Sequence, residues 1–279
     1  MTKKAPFKLI GGKFYLTPWI RSHIPPHKTY IELFGGAGTL LLNLAPCQVE
    51  VFNDLNHDIT NFYTICRERP ADVEQRYQQL GPLNSALFGK WSREWAMGIR
   101  PEDKVEQAAR FLWLRRGSFS GKMDGYTTTT GITNFSRVHD IEYAHERFHN
   151  VYIENLDYER CIERHVNNPK PVVIYADPPY YGVKYYSYSF EKADHERLAK
   201  VLNKVDAMVV LSYNNHPALD RLYPGWHKIC RQHLKRASTT RIGEHRSQVV
   251  EVLYCNFTPT RQIDMFEVEM QLKEQIQLL

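Results

Sequence analysis

The residues with the most chemistry in the smallest space lie in V-V-I-Y-A-D-P-P-Y-Y, positions 172–181. Asp177 brings a carboxylate, the Pro178 carbonyl a second acceptor, and Tyr180 an aromatic face. Two acceptors held side by side suit a planar –NH2 group, which has two hydrogens to donate. A heteroaromatic ring stacked on Tyr180 would gain roughly 1–3 kcal/mol per base. Pro178 and Pro179 fix φ and donate no N–H, so the chain leaves its strand at a stiff corner. Asp177, Pro178, Pro179 and Tyr180 are therefore the candidate catalytic residues, and an exocyclic amine on a nucleobase is the group they suit. The bland alternative is a turn capped by an aspartate.

A second constellation is E-L-F-G-G-A-G, positions 32–38. Glycines between a strand and a helix let the backbone approach a ligand closely. Only Gly36 and Gly38 fit the dinucleotide fingerprint, and its third glycine is absent. No G-K-[ST] follows, which disfavours a phosphate loop of the Walker type. Asp54 closes the next strand, where an acid accepts bonds from ribose hydroxyls. Alone, the loop reads equally as a tight turn with a surface acid.

The elements that must position these groups can be read from apolar runs. Strands are expected at 29–34, 49–54, 151–156, 172–176, 208–213 and 249–257, with helices at 39–45, 56–68, within 70–116 and at 195–205. Strands alternating with helices imply an α/β fold with a doubly wound, mostly parallel sheet. Ligands then bind beyond the carboxyl ends of the strands, where Gly36, Asp54 and Asp177 all fall. The stretch 81–150 breaks the alternation and reads as an inserted, mainly helical domain. The catalytic domain is then 1–80 and 151–260, and 261–279 is a tail.

Bulk properties exclude several classes. No apolar run approaches the length of a membrane span, and the N-terminus lacks the apolar core of a signal peptide. The 5 cysteines contain no C-x-x-C pair, which argues against a disulfide framework or a cysteine zinc site. A cytoplasmic protein is expected. The net charge of +5 is modest, but positions 110–122 and 227–246 concentrate Lys and Arg. Interleaved aromatics in the first of these favour a nucleic-acid surface over a merely solvated face.

H-E-R-F-H at 145–149 satisfies H-E-x-x-H, which on a helix gives two zinc ligands, His145 and His149, with Glu146 as base. Arg147 beside the site and the lack of a clear third ligand disfavour a zinc hydrolase. Two surface or half-buried histidines on a linking helix are the preferred reading, and no metal is expected.

Together these segments resemble the Dam-like N6-adenine DNA methyltransferases, the branch whose recognition insert lies between the glycine loop and D-P-P-Y. The resemblance covers most of 5–257. F-K-L-I-G-G-K (7–13), E-L-F-G-G-A-G, N-D-L-N, F-L-W-L-R-R-G-S-F-S-G (111–121) and Y-Y-S-Y-S-F (185–190) carry it. It implies a methyltransferase fold, S-adenosylmethionine as methyl donor and double-stranded DNA as partner. It also leaves room for a cognate restriction endonuclease acting separately, and fixes no oligomeric state. It implies Leu9, Lys13, Phe34, Gly36, Gly38, Asp54 and Asp177 as cofactor-binding residues. Arg115, Arg116, Lys122 and Arg137 are the candidates for DNA grooves. Lys235, Arg236, Arg241 and Arg246 are assigned mostly to phosphates. Tyr181, Tyr185, Tyr186 and Tyr188 are lid candidates, and Phe190 reads as core. Arg115, Gly117 and Ser120 depart from the GATC-reading members, so GATC specificity is not carried over. The rival activities are N4-cytosine methylation, RNA adenine methylation, glutamine methylation and DNA binding without transfer.

Overall fold

The β-branched and aromatic runs pair into one sheet. The structure is a computed structural model that describes residues 2–118, 123, 125–126, 139–183, 190–234 and 248–260. Its strands are β1 (Thr29–Glu32), β2 (Val49–Asn53), β3 (Val151–Glu154), β4 (Val172–Ala176), β5 (Met208–Asn214), β6 (His227–Leu234) and β7 (Gln248–Cys255). The order across the sheet is β3-β2-β1-β4-β5-β7-β6. β1 to β5 run parallel, while β7 pairs antiparallel with both β5 and β6. The chain winds one way from β1 through β2 to β3 and the other way from β4, so the switch point lies between β1 and β4.

The helices are α1 (Thr17–Arg21), α2 (His57–Glu68), α3 (Pro70–Gln79), α4 (Ser85–Ala96), α5 (Lys104–Gly117), α6 (His139–Phe148), α7 (Tyr158–His165), α8 (Lys192–Leu202) and α9 (Pro217–Leu222). Helices cover both faces of the sheet, which is why β1 and β4 are buried at every position. On one face Tyr30, Phe52, Tyr175 and Leu253 pack against α1 to α6. On the other, Ile31, Val51, Ile174 and Leu211 pack against α7, α8 and α9. No helix among the described residues is long and apolar enough to cross a membrane.

Two expectations fail for identifiable reasons. The helix expected at 39–45 is only a 3-10 turn, Leu41–Asn43. A helix there needs the Leu41 N–H to bond the Ala37 carbonyl. The Leu41 N–H is instead taken by Glu32 Oε2 at 3.0 Å, and the Ala37 carbonyl by the Tyr63 hydroxyl at 2.6 Å. The second miss is β6, which reads as a basic stretch. It is an edge strand, where charged residues are tolerated and even protective.

The stretch 81–150 supplies α4, α5 and α6, and these share one apolar core with α2 and α3. A polar tie reinforces that packing. Asp58 on α2 accepts from Trp95 Nε1 and Gln107 Nε2, both at 2.8 Å, and pairs with Arg100.

Candidate active site

The glycine loop leaves β1 at the switch point. Gly36 and Gly38 have φ of +53° and +65°, a left-handed backbone that side chains resist. A Cβ at Gly36 would meet only Leu9 Cδ1, at 3.5 Å, so the loop presents bare backbone beneath that leucine. Asp54, just past β2, turns back onto the loop. Its Oδ2 accepts the Gly36 N–H at 2.7 Å, and its Oδ1 the Asn56 N–H at 2.8 Å. Burial pushes the Asp54 carboxyl up, against these two bonds and the nearby charge of Arg115. Asn53 clamps the neighbouring strand ends, donating to the Leu33 and Leu156 carbonyls and accepting from the Leu156 N–H.

The corner after β4 is a charged cluster. Lys13 Nζ lies 3.1 Å from Asp177 Oδ1 and 3.2 Å from Glu251 Oε1. Lys13 also donates to the Tyr180 hydroxyl, which in turn donates to Glu251. Ser212 on β5 donates to Glu251 at 2.7 Å. Burial, with the charge of Glu251 adding to it, raises the Asp177 carboxyl to about 6, although Lys13 opposes the shift. Burial would raise Glu251 as well. The Lys13 charge, the nearby His233 and the bonds from Tyr180 and Ser212 outweigh it and leave Glu251 at about 2.

One short turn joins the two halves. The Gly12 N–H bonds the Leu9 carbonyl at 3.1 Å, and Gly11 has φ of +79°. Leu9 therefore lies over the glycine loop while Lys13, four residues on, reaches the corner. The Lys13 carbonyl accepts from the Leu16 and Thr17 N–H groups, both at 2.8 Å, which fixes the turn to α1. Upstream, Phe7 is buried against Phe62 and Phe111.

The structure thus brings Leu9, Gly36 and Asp54 together, and Lys13, Asp177 and Tyr180 together. Phe34 lies on the other face of the sheet, where it packs against Tyr158 and Phe190. Phe190 belongs to that packing, as its reading as core expects. Tyr181 stacks on His216, with ring centroids 4.4 Å apart. Arg116 is buried, and the groove contact expected of it gives way to a structural one. Its guanidinium donates to the Pro6 carbonyl at 3.0 Å and to Asp140 at 3.1 Å, which ties α5 to the N-terminal segment. Arg115 is half-buried over Phe111, with Asp54 and Asp58 in electrostatic range, and burial pushes it down to about 10. Ser120, Lys122, Arg137, Tyr185, Tyr186, Tyr188, Lys235, Arg236, Arg241 and Arg246 lie outside the described residues.

In the H-E-x-x-H stretch, His145 Nδ1 lies 2.7 Å from the Arg67 carbonyl, and Glu146 and His149 are exposed. Arg147 is turned inward onto Glu50. No group of three metal-ligating side chains is gathered among the described residues. The residue that sequence reasoning missed is Glu251. Its signal was a single acid inside the apolar run V-V-E-V-L-Y-C.

Sheet order, glycine loop and acid-bearing corner together define the α/β fold of a methyltransferase. The chain belongs to the D12 class N6 adenine-specific DNA methyltransferases, which it matches over residues 9–238. It is therefore an enzyme of adenine methylation in DNA. It is similar to the DNA adenine methylase of Vibrio cholerae serotype O1, at 25% identity over 283 residues, covering 92% of this chain and 97% of that one. The DNA adenine methylase of Salmonella typhi is 26% identical over 270 residues, 90% of this chain and 94% of the relative. The DNA N-6-adenine-methyltransferase of Escherichia phage P1 is 24% identical over 242 residues, 78% of this chain but 30% of that longer protein.

Proposed function

We propose that the protein moves a methyl group from S-adenosylmethionine to N6 of an adenine flipped out of double-stranded DNA in the cytoplasm. Asp177 and the Pro178 carbonyl would accept the two amine hydrogens. The observation that supports this reading best is the Asp177 carboxylate, held by Lys13 at the switch point, one turn of chain away from the glycine loop.

The donor's fit rests on the chain's own surfaces. Gly36 offers backbone that only Leu9 approaches, while Gly38 is packed against Tyr63, Phe148 and Phe52. Asp54 stands at the loop's edge as an acceptor for ribose hydroxyls, and Leu9 closes the loop from above. S-adenosylmethionine, when bound, supplies a methyl group made electrophilic by its sulfonium. The adenine amine is a weak nucleophile, because its lone pair is shared with the ring. Acceptor bonds from Asp177 and Pro178 draw on its hydrogens and return electron density to nitrogen. Such preorganised acceptors act most strongly where positive charge develops. Flipping the base costs a few kcal/mol, part of which Tyr180 would return by stacking. Tyr180 would first have to release its hydroxyl from Glu251 or stack with that bond intact. No cysteine is required, since no covalent intermediate forms.

Residues 81–150 would supply target recognition, with Lys122 and Arg137 toward the groove and Arg115 at the root of that segment. Lys235, Arg236, Arg241 and Arg246 would hold phosphates. The deciding experiment incubates the protein with tritiated S-adenosylmethionine and DNA, then digests the product to nucleosides. Label in N6-methyl-2′-deoxyadenosine supports the reading. Label in N4-methyl-2′-deoxycytidine, or transfer to RNA alone when RNA is offered in parallel, would replace it.

A further inference from the structure

The last strand of the sheet carries one acid, Glu251, that the transfer reaction above does not use. It is buried, and a carboxylate in such a place is costly unless fully paired. A valine or leucine would pack the strand without that demand. The partners that satisfy it are the corner itself: the Lys13 ammonium, the Tyr180 hydroxyl and Ser212 on β5. From β6, Arg231 lies opposite Glu251 in the strand register, and His233 Nε2 is 3.9 Å from Glu251 Oε2. Glu32 on β1 and Tyr175 on β4 lie in electrostatic range on the Asp177 side, and burial keeps both protonated where Asp177 titrates. Lys13 is therefore a cation between two acids, one just past β4 and one on β7, at 3.1 Å and 3.2 Å.

We infer that Glu251 is a positioning residue for methyl transfer: it shares the Lys13 ammonium and anchors the Tyr180 hydroxyl, so that Lys13 holds Asp177 in place without neutralising it. Without Glu251, the ammonium would collapse onto Asp177 and compete with the adenine amine for the same carboxylate. The inference rests on the acceptor role given to Asp177 under the proposed function.

The test is Glu251→Gln, which keeps shape and an acceptor oxygen but removes the charge. Turnover should fall between about ten- and a hundredfold, the range a displaced catalytic group produces. The dissociation constant for S-adenosylmethionine, from calorimetry, should stay within about threefold. The acidic limb of kcat/KM should move to lower pH, because an opposing negative charge next to Asp177 has gone. A merely structural role would not shift that limb. A folded Glu251→Gln enzyme with wild-type turnover and an unmoved limb overturns the inference. If Glu251→Gln does not fold, Ser212→Ala carries the test, since it frees Glu251 from its 2.7 Å anchor. A fall in turnover of about threefold or more supports the inference, and wild-type turnover overturns it. Asp177→Ala, run alongside, separates the two claims. If it is inactive while Glu251→Gln is normal, only the positioning role fails; if it is active, the acceptor reading fails.

Discussion

The glycine loop and the acid corner lie at the carboxyl ends of adjacent strands, yet they are made in different ways. The loop is built of backbone from a few consecutive residues, and its one charged member, Asp54, is satisfied by N–H groups of the loop and its own turn. The corner is built of side chains from the N-terminal turn, β4 and its exit, β5 and β7. The first can bind by shape with little electrostatic tuning. The second stores opposed charges in a nearly dry place, so small changes in any member are felt by the others. One half suits holding a cofactor and the other suits acting on an amine.

Substitutions on the two sides should separate along that line. Asp177→Ala should have the largest effect, a loss in turnover on the order of 10³-fold, with donor affinity within a few-fold in calorimetry. Equal losses in turnover and donor affinity would erase the division. Asp54→Ala should do the reverse. Donor affinity should weaken by about ten- to a hundredfold, the worth of a hydrogen bond to a charged group, while turnover at saturation changes little. Arg116→Met should damage both halves at once, because it releases the N-terminal segment from α5. Urea unfolding should show a loss of about 3–5 kcal/mol from the broken buried pair.

The pH profile sharpens the same contrast. Asp177 holds its proton up to about 6 when folded, above its ordinary carboxylate range. The acceptor role needs the ionised form, so kcat/KM should rise through about pH 6, roughly tenfold per unit on the acid side. Stability runs the opposite way for this group. Its folded pKa is raised, so its contribution is full at low pH and falls as pH rises toward 6. The smallest effect is expected for Gly36→Ala. A non-glycine residue at φ of +53° costs about 1–2 kcal/mol, and its Cβ would meet only Leu9. A few-fold loss of donor affinity in titration would follow.

The same contrast explains what the sequence disclosed. The loop and the D-P-P-Y corner are contiguous, so residue order alone exposed them. The parallel core was legible too, because β4 is a continuous apolar run and β1 and β2 carry β-branched and aromatic residues between helical stretches. Glu251 was not, since its role depends on which strand ends up beside β5. β6 was hidden by its charge, which an edge strand accommodates. The helix after the loop was over-read, because Glu32 and Tyr63 take the two backbone groups that would have started it. Arg116 looked like a surface cation from its neighbours Arg115 and Lys122, and only packing revealed that it faces Pro6 and Asp140.

The turn at residues 9–13 has a consequence for how the enzyme comes into being. Those residues leave the ribosome long before β7, yet their lysine is clasped by an acid at position 251. A nascent chain halted after the D-P-P-Y corner would carry every signature stretch and still lack the far side of the clasp. If Glu251 positions the corner as inferred above, the site is assembled only once β7 has been made and has paired beside β5.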